Sequence, residues 1–174
     1  MKDALVALAG NTNKPLPARV AALYALTQRA LKGESAAPII KTVAPLAADP
    51  ALQRFVLRAL GDAGLDQFST GKSTAPPAIY TAGFKSGDPR TRLEAVVGAT
   101  RQNLLGLAPQ IATLLGDPDP VLAHTAFRSL AMLKASDACF AVVDDGNAPA
   151  ARRTGALRAL MRIHTPEVVA GLTS

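Results

Sequence analysis

The Asp-Pro pairs Asp49-Pro50, Asp88-Pro89 and Asp119-Pro120 punctuate this chain, and each stands before an apolar pattern of helical period. The pair has a plain mechanism at a helix start: the carboxylate accepts from free first-turn amides, and proline at the first helical position forfeits no hydrogen bond. Two weaker openings, at Leu16 and Ala150, fall into the same register, so the anchors at 16, 50, 89, 120 and 150 lie 34, 39, 31 and 30 residues apart. A period in that range is the mark of stacked helical repeats and constrains the fold before any single element is assigned.

Four columns run through the five copies. The sixth residue after each anchor is Ala22, Val56, Ala95, Ala126 or Ala156, and the seventh is Leu23, Leu57, Val96, Phe127 or Leu157. The ninth is Ala25, Ala59, Gly98, Ser129 or Ala159, always small, and the tenth is Leu26, Leu60, Ala99, Leu130 or Leu160. At 100° per residue these positions share one broad side of a helix, which must be buried. Small residues at the ninth position let a neighbouring helix backbone come close.

Each of these helices is followed by a second apolar segment: 37–48, 77–85, 104–115, 137–143 and 166–172. The stretch from Lys2 to Ala9 reads as the second helix of an earlier repeat, so the array is expected to be cut mid-unit and to be a piece of a longer protein. Residues 66–77 lengthen one repeat and have loop composition, an insertion within a single array spanning 1–174. With 49% hydrophobic residues, 4% aromatics and no Trp, the core is one of Ala, Leu and Val, which suits helices better than twisted sheets. The fold expected is all-α, a right-handed α-solenoid of about five helix pairs, each unable to bury its apolar side alone.

Catalytic chemistry finds little support. Cys139 is the one cysteine, so no internal disulfide is available, and with His124 and His164 it makes no zinc spacing. It reads as a small core residue. Gly71-Lys72-Ser73 resembles the end of a phosphate-binding loop but lacks the upstream glycine and the preceding strand, and it reads as a surface loop. His164 sits near a helix end, where an imidazolium favours the last carbonyls, and neither histidine has a catalytic companion nearby in sequence. Asp144-Asp145-Gly146-Asn147 lacks the further oxygens of a calcium loop and reads as a helix terminator. No enzyme, metal or cofactor is therefore expected. The longest uncharged stretch, 102–116, is too short to span a bilayer and contains Pro109. The N-terminal apolar stretch is too short for an export signal, which leaves a cytoplasmic protein or a piece of a longer exported precursor.

Arginine recurs with register. Arg19, Arg92 and Arg153 hold the third position after their anchors, where the helix dipole disfavours a cation. Their recurrence predicts an acceptor, the capping Asp49, Asp88 or Asp119 or a loop carbonyl of the adjacent repeat. A second set, Arg58, Arg90, Arg101, Arg128, Arg158 and Arg162, faces away from the apolar columns. In a chain of net charge +6 and pI near 9.9 such a ridge is either a solubilising surface or a phosphate-binding one. Asp62 and Glu94 interrupt it and no aromatics interleave for base stacking.

The combination of Asp-Pro, Arg three residues on, small residues and a closing Ala-Leu resembles HEAT repeats, most clearly over 88–172. More narrowly, Asp119-Pro120-Val121-Leu122-Ala123-His124-Thr125-Ala126 and 155–164 look like HEAT segments of large exported planctomycete-type proteins. Those join a propeller resembling sugar dehydrogenases, a helical array and a haem module. The haem-attaching Cys-x-x-Cys-His is absent around Cys139, so the resemblance implies a spacer or docking surface in a periplasmic setting, without haem of its own. The function expected is a non-catalytic scaffold for a protein partner or flanking domains, with end-to-end self-association of the cut array. The alternative is nucleic-acid binding along the arginine ridge.

Overall fold

The computed structural model describes residues 2–31, 36–63 and 75–173. The expected loop at 66–77 and the Gly71-Lys72-Ser73 motif fall almost wholly on 64–74, outside the described residues. Those described form helices and no strand, and none of the helices is long and apolar enough to cross a membrane. The chain divides into two compact units, Met1–Asn103 and Leu104–Ser174.

In the first unit α1 (Lys2–Gly10), α2 (Leu16–Leu31), α3 (Ala36–Val43), α4 (Gln53–Ala63), α5 (Pro77–Phe84) and α6 (Pro89–Arg101) follow in order, with a 3-10 turn at Ala44–Ala48. Helix α4 packs on α2 on one side and on α6 on the other, and α5 lies against α6. At the α4–α6 crossing Gly61 and Gly98 meet backbone to backbone, for a Cβ on Gly61 would stand 2.7 Å from Gly98 Cα. This close approach is the use to which the small ninth position is put here.

The second unit runs through α7 (Ala108–Ala112), flanked by 3-10 turns at Leu105–Leu107 and Thr113–Gly116, then α8 (Pro120–Met132), α9 (Ser136–Asp144), α10 (Ala150–Leu160) and α11 (Pro166–Thr173). Helix α10 packs on α8 and α9, and α7 packs on α8 and α9. The single second helix expected over 104–115 is broken into three short pieces. Pro109 in the first turn of α7 blocks continuation of the helix from the residues before it.

The caps explain the helix starts. Asp88 accepts from Arg90 and Thr91 amides at 3.1 and 3.2 Å, and Asp119 from Val121 and Leu122 at 2.9 and 3.4 Å. Asp49 departs from the pattern. Its carboxylate accepts from Ala51 N–H at 2.9 Å, but Pro50 lies in a turn and α4 begins only at Gln53. Helix α10 opens after Pro149 without any side-chain cap. The sixth and tenth columns are buried in every copy. The ninth is buried except at Ala25, and the seventh except at Leu157, which is 39% exposed.

Candidate functional site

The third-position arginines meet different fates. Arg19, only 5% exposed, donates through Nε to Ala9 O at 3.0 Å and through its guanidinium to the Asp49 carboxylate. One side chain thus ties α2 to the end of α1 and to the turn that leads into α4. Arg92 donates to the carbonyls of Ser86 and Gly87, at 3.0 and 3.4 Å, in the loop before its own helix. The Arg153 side chain makes no hydrogen bond or ion pair among the described residues, and its amide donates to Pro149 O at 3.1 Å.

The Arg19 hydrogen bond holds the Asp49 carboxyl below the usual carboxylate range, helped by the Ala51 amide. The unfolded chain therefore takes up that proton at a higher pH than the folded one. The stabilisation is complete above about pH 4 and fades as acid carries the pH down through the lowered folded-state value. Asp49→Ala, which strands a buried guanidinium, should cost about 2 kcal/mol at pH 7. That is less than for a fully buried pair, because Arg19 keeps Ala9 O and Asp49 is partly wet. Urea titrations from pH 7 to pH 3 should show the gap to the native chain closing below pH 4. A gap that stays constant with pH would mean the ion pair is not its source.

The outward arginines do not form a free basic ridge. In the first unit Arg58 pairs with Asp62 at 3.4 Å and with Glu94 at 3.3 Å, and Arg101 pairs with Asp62. The Glu94 charge pushes the Arg58 pKa up. Arg90 is exposed and, with Arg54, Arg58, Tyr24 and Phe55, lines a cleft of about 220 Å3, where Arg54 lies 4.5 Å over the Phe55 ring. In the second unit Arg158 and Arg162 sit 4.4 and 5.5 Å over the ring of Phe127, sealing a column residue, while Arg128 projects into solvent. Aromatics do accompany the arginines, contrary to expectation. Tyr24 lies far in sequence from Arg54 and Arg58, and Phe127 counts as a core position, whereas Phe55 stands directly beside Arg54 and was open to view.

Cys139 is fully buried, and burial pushes its thiol up to about 11, out of the range of a working nucleophile. His164 Nε2 lies 3.2 Å from Met161 O near the end of α10, and His124 meets Phe127 edge to face at 4.9 Å. Asp145 Oδ1 accepts from Asn147 N–H at 2.9 Å, closing its own turn after α9.

One feature of the second unit is not announced by the sequence. Between α7, α9 and the first turn of α10 the second unit carries an open groove of about 540 Å3. Ala108, Ala112, Ala135 and Ala148 are its buried lining, and Ala138 and Val142 of α9 its partly exposed wall. Short side chains on both helices leave the space that larger ones would fill. Lys134, Asp137, Asp145 and Arg152 supply the charge. Lys134 takes φ 53°, a left-handed conformation where glycine is favoured, and closes α8 through Ala135 N–H to Leu130 O at 3.0 Å and Lys134 N–H to Ala131 O at 3.1 Å.

No family model matches the chain, and no curated protein matches it. An engineered protein with a crystal structure from the Northeast Structural Genomics Consortium is similar over 93% of this chain and 78% of its own, at 18% identity and a TM-score of 0.54. A likeness at that identity bears on the fold alone, and it agrees with an all-α chain.

Proposed function

We propose that the chain is a non-catalytic, HEAT-like scaffold, a right-handed α-solenoid of paired helices that binds a protein segment in the groove between α7 and α9. The groove carries the reading. It is apolar at its base and charged at its edge, and its volume falls in the range that takes a few side chains. In the setting suggested by the sequence resemblance, that segment belongs to a flanking catalytic or haem module or to another protein. A second reading has one observation behind it. The cleft of Arg54, Arg58 and Arg90 with Tyr24 and Phe55 is a feature a nucleic acid can use, although Glu94 lies within it.

A phage-displayed library of random dodecapeptides selected on the whole protein tests the first reading. Peptides should be retained by the native chain and lost on Ala138→Trp, which fills the groove from α9, provided circular dichroism shows that the variant keeps its helix content. Retention that is indifferent to the groove would overturn it. Duplex DNA binding at low salt that weakens steeply with added salt and with Arg90→Ala would favour the second.

A further inference from the structure

Resting on the groove reading, the geometry points to a more definite occupant: we infer that the groove takes a protein segment that buries an aliphatic or aromatic side chain among the alanines and presents a carboxylate to Arg152. Arg152 stands in the first turn of α10 and lines the groove. Its Nε is buried and has no hydrogen-bond partner. A buried donor left unpaired is costly, and a guanidinium's fork fits a carboxylate's two oxygens, so the group is poised for an acceptor that arrives with a ligand.

The groove's formal charges balance, two cations against two acids, so the choice of a carboxylate is carried by Arg152. Lys134 is the second cation, and it keeps a side chain at a left-handed position where glycine would relieve strain. Strain held at a concave surface is a reason to look for function there. Of the two acids, Asp145 is occupied by the Asn147 amide and Asp137 lies 3.4 Å from Ser136 Oγ, at the start of α9. Arg152 has no ion pair with either one. It packs against Gly116 through its backbone and Cβ, for a Cβ on Gly116 would stand 3.4 Å from Arg152 N and 3.5 Å from Arg152 Cβ.

The measurement is the same library selection, read for acidic content and repeated on Arg152→Gln. This variant removes a group that has no side-chain partner among the described residues and should melt as the native protein does. Groove-dependent peptides should be enriched in Asp or Glu beside an apolar residue on the native chain and lose that enrichment on Arg152→Gln. For one enriched peptide made synthetically, Glu→Gln in the peptide and Arg152→Gln in the protein should each weaken binding about tenfold, and both together no more than either alone. Groove-dependent peptides without acidic enrichment, or a double change whose losses add, would overturn the carboxylate while leaving the groove reading standing. Failure to retain any peptide, or retention insensitive to Ala138→Trp, would remove both.

Discussion

Gly98→Val should destabilise the chain by about 3 kcal/mol, because α4 and α6 touch at this point with no room for any side chain. A Cβ there would stand 2.6 Å from Tyr80 Cε1 and 2.9 Å from Leu57 O. The first contact is with a ring that is itself fully buried, and the second is with helix backbone, so neither gives way by rotating a side chain. The partner position is equally closed, since Gly61 faces Gly98 Cα. Glycine inside a helix is itself unfavourable by roughly 1 kcal/mol against alanine. Two such residues facing each other in α4 and α6 therefore mark a crossing where closeness outweighs propensity. Gly106→Ala is the control: nothing lies within 4 Å of a Cβ there, and its effect should stay within about 0.5 kcal/mol. Equal urea midpoints for Gly98→Val and Gly106→Ala would mean that the two helices do not meet as described.

The small ninth column made that crossing legible, and other parts of the fold were legible for the same kind of reason. Asp88 and Asp119 announce their helices because capping is a local interaction, settled within three residues of chain. The pairing of Arg19 with Asp49, one anchor onward, could be anticipated from a cation misplaced against the helix dipole. Arg92 and Arg153 share that column and do otherwise, because what a long side chain reaches depends on the loop beside it and not on its register.

The groove was opaque for a different reason. An alanine that lines a hollow and an alanine that seals a joint look identical in sequence. The difference is whether the facing helix, here the broken α7, leaves the space filled. Arg152 and Arg153 make the point at the scale of one residue: the column selected Arg153, while its neighbour, about 100° around α10, enters the groove. Leu157 shows the limit of periodicity from the other side, since an apolar residue in register is buried only where something packs against it.

Leu60→Ala and Leu130→Ala should each cost about 4 kcal/mol, whereas Arg128→Ala should cost less than about 0.5 kcal/mol. Both leucines are fully buried at the tenth column, Leu60 on α4 of the first unit and Leu130 on α8 of the second. Truncation removes three carbons from a site with no exposure to solvent, and the surrounding structure relaxes only partly into the void. Leu130 carries a second duty, for its carbonyl accepts the Ala135 amide that closes α8, but that bond belongs to the backbone and survives the substitution. The loss at both sites should therefore be the cavity alone, and the two values should be alike despite their different units. Arg128 lies two residues before Leu130 on the same helix, its side chain exposed and without a bonded partner among the described residues, so it shares the helix propensity and the sequence neighbourhood while lacking the packing. Urea unfolding followed by amide exchange separates the cases. Protection should fall in α4 and α6 for Leu60→Ala and in α8 and α10 for Leu130→Ala, with no change for Arg128→Ala. The opposite ranking would mean that the apolar columns do not face the interior, and with them would go the pairing of helices on which the groove depends.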